Sequence, residues 1–397
     1  MRAVCAALLL AVGCADPAPA RAPVEQPAQP PATALAEEPD AGTDAAEPED
    51  AFVRPDAWRR PRVAPSAEPG ELFDARDDAA VIERLRDEEI VGVERGRGGR
   101  SVAFRFTLAS GARAYFKPEQ SFSGTHWFAE IAAFHLDRLL RVHRTAPSTA
   151  RVVPYAMLEP ALVGDARADE LIVQPDGTVR GAIIAWIDER LVPIEPPPGW
   201  ERALRVTDPP AVFPFVAPIE LRRAHASRDA GVDAGSLDGA VAALDGGSDA
   251  GEPEEDDWDD EARARELSIL IAFDFLTQNG DRWGGNYTNV RTRGVGGPII
   301  FLDNAAGFWR RRGRTSRARA PIAIDARLGF VERFDGAFVR RVRRLSVDEL
   351  RTGLETEPVG PILDDAQLEY LEERRQALLG HVDAMVAREG EARALPW

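Results

Sequence analysis

Lysine is almost missing from this chain of 397 residues: Lys117 is the only one among 49 basic side chains. Arginine fills every other basic position. A compact ammonium and a planar guanidinium are not interchangeable where a point charge is needed, so Lys117 is a candidate functional residue. Asparagine is nearly as scarce, and all four (Asn279, Asn286, Asn289 and Asn304) fall between residues 279 and 304. Cysteine occurs only as Cys5 and Cys14. The body of the protein therefore has neither disulfides nor thiolate metal sites, and its core alone must support the fold. A chain with about 250 ordered residues can do that. There is no Gly-x-Ser-x-Gly elbow, and the histidines (126, 135, 143, 225 and 381) are scattered. Both facts argue against a Ser-His-Asp hydrolase. Nor does any Asp-rich segment have the spacing of an EF-hand loop.

Positive charge is scarce in two long tracts. Residues 37–50 carry seven acids and residues 229–261 carry thirteen, with no basic residue in either. The formal net charge is -17, so the rest of the chain is close to neutral. Acidity of this kind belongs to solvated segments, and no broad basic face offers itself to nucleic acid.

The N-terminus reads as an address. A basic start, Met1-Arg2, precedes the short apolar run 3–12 and then Ala11-Val12-Gly13-Cys14. The run suits a signal-peptide core and is too short for a mature membrane span. Residues 1–14 are expected to be a lipoprotein signal, with Cys14 the lipidated residue; an ordinary secretory signal cut between Ala15 and Ala20 is the alternative. Acyl chains anchor a protein at roughly 0.8 kcal/mol per buried methylene. Residues 15–70, rich in Ala, Pro and acids, are expected to be a disordered tether. The expected location is therefore the cell envelope, lipid-anchored on the periplasmic or outer side.

Ordered pattern resumes near Leu72. Residues 79–91 predict a short helix leading into a strand. Residues 102–108 and 113–117 alternate with period two and predict a hairpin. Gly96 and Gly98 lie just upstream; they either let a backbone approach a phosphate or simply serve a turn. Residues 125–141 predict a helix whose apolar face, marked by Trp127, Ile131 and Phe134, also carries Glu130. A carboxylate there needs a cationic partner, and Lys117 on the preceding strand is the candidate. Strands are expected at 151–154, 171–174 and 179–187, an irregular connection at 193–228 and a disordered acidic insertion at 229–260. A buried helix is expected at 261–278 and a strand at 299–302. Residues 331–389 should be helical, ending in an amphipathic helix over about 365–389.

One constellation carries chemistry. Phosphoryl transfer from a nucleotide needs a base for the acceptor hydroxyl, oxygen ligands for a divalent ion and a cation on the phosphates. Asp281 can accept the hydroxyl proton. Asn286, five residues on, and Asp303, at the end of a strand, offer hard oxygens of the kind magnesium takes. Lys117 supplies the point charge, steadied by Glu130.

Tyr115-Phe116-Lys117-Pro118, the helix from Glu130 to Leu140 followed by Arg144 and Pro147, Asn279-Gly280-Asp281-Arg282, and Leu302-Asp303-Asn304 with Gly307-Phe308 resemble the motifs of secretory-pathway atypical kinases. These are the Golgi casein kinase and four-jointed kinases; HipA-like and spore-coat CotH kinases are similar at greater distance. The resemblance spans roughly residues 90–390. It implies an α+β, two-lobed protein-kinase-like fold with a small β-rich N-lobe (71–192) and a mainly helical C-lobe (261–397). It also implies ATP with Mg2+ or Mn2+, and hydroxyl acceptors on an exported protein or glycan. The chain departs from the pattern in having no stapling cysteines, no His-Arg-Asp order in the catalytic loop and a private acidic insertion. ATP is scarce outside the cytoplasm, so a pseudokinase serving as an envelope scaffold, or a nucleotidyl transferase on the same fold, is the alternative expectation.

Overall fold

Phe104, Phe106 and Leu108 are buried while Arg105 and Thr107 are not, and Ala114, Phe116 and Pro118 alternate in the same way with Arg113, Tyr115 and Lys117. Successive side chains on a strand point to opposite faces, so this pattern gives one apolar face and one facing a cleft. In the computed structural model these segments are β2 (Phe104–Leu108) and β3 (Arg113–Pro118). The structure describes residues 73, 77–96, 99–122, 124–197, 199–207, 260–283, 289–309 and 319–397. The signal with Cys14, the tether, Gly98, Asn286, nearly all of the acidic insertion and the later part of the 193–228 connection lie outside the described residues.

Helix α1 (Asp78–Asp87) leads into β1 (Ile90–Arg95). With β4 (Ser148–Pro154) and β5 (Thr178–Ala185) the strands form an antiparallel sheet in the order β1-β2-β3-β5-β4. One face packs Phe104, Phe106, Phe116, Val179 and Ile183 with Leu85 of α1 and with Leu158 of the short helix α3 (Tyr155–Leu158). The Phe106 and Phe116 rings stack at 5.0 Å. On the other face, Ala150 and Ala182 pack into a second core with α2 (Trp127–Leu139). Gly181 lies where these strands meet Lys117: a Cβ there would sit 2.4 Å from the Lys117 carbonyl oxygen, so only glycine allows the pairing.

Beyond β5, strand β6 (Leu191–Pro193) leaves the first sheet and pairs with β7 (Arg291–Arg293), which pairs with β8 (Ile299–Ile300). The remaining longer elements among the described residues are helices: α4 (Asp260–Thr277), α5 (Arg319–Phe330), α6 (Gly336–Arg344), α7 (Val347–Leu354), α8 (Asp365–Glu389) and α9 (Glu391–Ala394). Leu267 to Phe273 of α4 are all buried, as expected for a helix apolar on every side. A reciprocal capping box, Asp364 with Gln367, starts α8. No described helix is long and apolar enough to cross a membrane.

The strand expected at 171–174 does not form. Leu171 makes one bridge to Gln120, and the chain then turns through Pro175-Asp176-Gly177, with Gln174 N–H donating to Thr178 O at 2.7 Å. That turn ends any strand and begins β5. Among the described residues of the irregular connection, Trp200–Leu204 form a helical turn whose Trp200 and Leu204 join the main core.

Glu357, just past α7, links the helical part to the sheet. Its carboxylate accepts from Thr149 Oγ1 (2.6 Å) and Ala150 N–H (2.8 Å) on β4, and lies 2.8 Å from His135 Nε2 on α2. Burial pushes its pKa up, but these partners outweigh burial and hold it below the usual glutamate value of 4.5. A depressed carboxyl contributes stability above its unfolded pKa and loses it as pH falls through the folded one. Glu357→Gln is therefore expected to cost about 2 kcal/mol at pH 7. The gap to the wild type should close as urea midpoints are measured below pH 4.5; a constant gap would refute the assignment.

Candidate active site

Lys117 points from β3 into the space beneath the first sheet. Its Nζ lies 2.6 Å from Glu130 Oε1 and 2.6 Å from Asp303 Oδ1. Glu130 is 4% exposed. Besides Lys117 it accepts the backbone N–H groups of Asn304 (3.0 Å) and Ala305 (3.1 Å), and Asn304 Nδ2 at 3.4 Å. A buried carboxylate with this many donors is well satisfied. Helix α2 is held in place at its start, where His126 N–H donates to Ala305 O at 2.7 Å and the His126 ring lies 2.9 Å from Gly307 O. The helix that carries Glu130 is thus tied to the loop that carries Asp303.

Burial alone would pull the Lys117 ammonium down. The adjacent carboxylates of Asp303 and Glu130 outweigh it and hold the pKa above the usual lysine value. Burial likewise pushes Asp303 up, and Lys117 reverses this, leaving its carboxyl below the usual aspartate range. The site is therefore one ammonium between two carboxylates.

Asp303 and Asp281 come from loops in contact. Asn279 Nδ2 donates to the Asp303 carbonyl at 3.0 Å, and Phe308 N–H donates to Thr277 O at 2.6 Å. Gly307 sits in the gap, where a Cβ would stand 3.0 Å from both Asn304 O and Thr277 O. Three non-glycine residues in these loops, Gln278, Asp303 and Phe308, have φ of 62°, 56° and 53°. Local strain of this kind tends to gather at functional sites.

Arg282 is the hub that sequence reasoning missed. Its fully buried guanidinium bonds Asp274 through Nε (2.8 Å), Asn304 Oδ1 through Nη2 (2.6 Å) and the Leu302 carbonyl through Nη1. Trp283 Nε1 donates to the same Asp274 at 2.8 Å. Its place beside Asp281 in the Asn279-Gly280-Asp281-Arg282 motif was the available signal, and no role was read from it. Asp281 itself is exposed. Its surroundings, and then the charge of Asp303, push its pKa up against the pull of Arg282 and Lys117, so it titrates within the field of the site.

Lys117, Glu130, Asp303 and Asn304 line one cleft of about 860 Å3, open space at its mouth included. Its inner walls are apolar, with Ile184, Trp186, Leu191 and Phe301 among them, and Gly99 and Ser101 also line it. Gly96, a candidate either for a phosphate contact or for a turn, is not in the lining. Its N–H donates to Ala103 O at 2.8 Å and a Cβ there would meet that oxygen at 3.0 Å, so it serves the hairpin end. No cluster of three or more His, Cys, Asp or Glu side chains could hold a metal among the described residues. Magnesium does not require one, because it binds through one or two carboxylates, phosphates and water. One oxygen of Asp303 takes Lys117 and the other has no hydrogen bond from the described residues, which fits a hard cation shared with phosphate.

A β-rich lobe, a helix whose glutamate pairs a strand lysine, and a mainly helical lobe with its aspartates on adjoining loops define a protein-kinase-like fold. Among solved structures, the chain is similar to a crystal structure of the Golgi casein kinase at 16% identity and a TM-score of 0.54, covering 81% of this chain and 78% of that one. It is also similar to the Golgi casein kinase with Mn/ADP bound (16%, 0.52, covering 81% and 79%) and to hydra Fam20 with sugar (18%, 0.51, covering 81% and 93%). At these identities the fold is what is shared. No family model matches the sequence, and no curated protein matches it.

Proposed function

We propose that this chain is a metal-dependent kinase that transfers the γ-phosphate of ATP to a hydroxyl on an exported protein or glycan. The reading rests on one observation: Lys117, the only lysine in the chain, bridges Glu130 and Asp303 inside an apolar-walled cleft. Lys117 releases Asp303 and binds the nucleotide phosphates, while Glu130, held by Asn304 and Ala305, keeps it aimed. Asp303 would hold the divalent ion, together with Asn286, which lies outside the described residues. When bound, Mg2+ or Mn2+ supplies neutralising charge across the phosphates. Asp281 accepts the acceptor hydroxyl proton as its oxygen attacks the γ-phosphorus and the bond to the β–γ bridging oxygen breaks, releasing ADP. The likeness to a neighbour solved with Mn/ADP supports this choice of nucleotide and metal. Lipidation at Cys14 would place the reaction at the cell envelope.

The test is transfer from γ-labelled ATP with and without Mg2+ or Mn2+, for wild type and Asp303→Ala. Label should enter acceptor only with metal, and the variant should lose at least about 100-fold. Equal labelling by both proteins overturns the reading. Transfer of α-label instead would make the chain a nucleotidyl transferase, and nucleotide binding without any transfer a pseudokinase.

A further inference from the structure

The segment that brings Gly99 and Ser101 to the cleft lies between β1 and β2, and it is bound by an arginine-carboxylate assembly from elsewhere in the chain. Arg167 Nη1 donates to the Gly99 carbonyl at 2.7 Å. Arg100 makes a forked pair with Glu170, Nη1 to Oε2 at 2.7 Å and Nη2 to Oε1 at 2.5 Å, and its guanidinium stacks 4.3 Å from the Phe122 ring. Asp165 joins the parts. It accepts from Arg167 Nε (2.9 Å), Nη2 (3.0 Å) and backbone N–H (2.9 Å), and from Arg95 Nε (2.8 Å). Arg95 in turn donates to the carbonyls of Gly96 (2.8 Å) and Ala103 (2.7 Å), the two ends of the segment. Hydrogen bonds from Arg167 and from Arg95 hold the Asp165 carboxyl far below its usual range. The glutamate end is fixed too, because Ser121 N–H donates to Glu170 O at 2.7 Å. None of these side chains lines the cleft.

Glycine-containing turns lose more conformational freedom on ordering than others. A nucleotide that must order such a turn spends binding energy on it, whereas a turn already held does not carry that cost. Forked arginine-carboxylate pairs fix geometry better than single contacts. We propose that Arg167 and Arg100, through Asp165 and Glu170, are positioning residues that set the Gly99–Ser101 roof of the cleft before nucleotide arrives. The inference rests on the kinase reading and adds to it a preformed roof.

Two measurements separate the two claims. The first, hydrogen exchange across residues 96–103 of the unliganded protein, needs no nucleotide. The second is calorimetry with Mg–ADP, with kcat and KM for ATP where transfer occurs. In Arg167→Met, exchange in the segment should quicken about tenfold. Mg–ADP affinity and KM should worsen about tenfold with kcat at saturation within about twofold, as expected when only uniform binding is lost. Arg100→Glu should behave alike, and adding Glu170→Arg should restore most of both readouts. A merely structural role would lower the melting temperature without splitting KM from kcat. Unchanged exchange in both variants overturns the inference, and so does faster exchange with unchanged Mg–ADP affinity. If the unaltered protein binds no Mg–ADP, the kinase reading falls and takes this inference with it.

Discussion

Lys117→Met is expected to lower kcat/KM for γ-phosphate transfer by about 1,000-fold, the scale of losing a preorganised charge aimed at the transferring group. The fold should survive, because the buried Glu130 keeps three donors from Asn304 and Ala305. The variant should therefore melt cooperatively while its affinity for Mg–ATP falls. Lys117→Arg should not rescue it. The ammonium sits 2.6 Å from each of two carboxylates, a space for a compact charge and not for a planar fork. Here the chain's own composition supplies a control: arginine fills every other basic position and stays out of this one. Wild-type rates in the methionine variant, measured with metal and nucleotide saturating, would remove Lys117 from the chemistry and the proposed function with it.

Much of that site could be read before any coordinates. Glu130 on an apolar helix face needed a cation, and the one scarce cation stood on the strand before it. The rule that buried charges are paired joined them, and the structure pairs them. Rarity marked the asparagine stretch, within which Asn279, donating to the Asp303 carbonyl, and Asn304, accepting from Arg282, prove to tie the two aspartate loops together. Asp303 was placed in the same constellation by its motif; what sequence could not give was its direct pairing with Lys117. Asp303 reaches Lys117 across 186 positions, and no local pattern encodes a contact of that range.

Secondary structure followed the same division. The terminal helix keeps its expected bounds of 365–389 because a capping box opens it and Gly390 closes it. The hairpin of β2 and β3 was written in its alternation. Residues 171–174 misled because Leu-Ile-Val is a β-prone run, yet the turn at Pro175-Asp176-Gly177 leaves no length for a strand. Gly96 could be read as a close approach to a phosphate or as a plain turn, and its packing against Ala103 favours the turn. The arginine assembly around Asp165 was invisible because no motif marks it and the links from Arg95 to Asp165 and from Arg100 to Glu170 each span 70 positions.

Glu266→Ala is expected to cost about 3–5 kcal/mol, the penalty for stripping a buried pair of one partner. Glu266, on α4, is 4% exposed and takes Arg144 Nη1 on one oxygen and Arg263 Nη1 on the other, each at 2.8 Å. Both arginines are buried. They also donate to the carbonyls of Ile299 (2.9 Å) and Gly297 (2.7 Å), and Phe301 N–H donates to Arg144 O at 2.9 Å. Removing the carboxylate leaves two guanidinium charges in the core, beside the strand that leads into Asp303. Urea denaturation should show the lower midpoint with an unchanged slope. The sharper comparison replaces all three members with apolar side chains, Arg144→Met, Arg263→Leu and Glu266→Met. Burying an ion set costs about as much as its attraction returns, so the triple variant should recover most of the stability that Glu266→Ala loses. If the triple variant is no more stable than Glu266→Ala, the stabilisation lies in the backbone bonds to Ile299 and Gly297 and not in the charges. Transfer activity would then track those bonds, since they fix the strand that delivers Asp303 to Lys117.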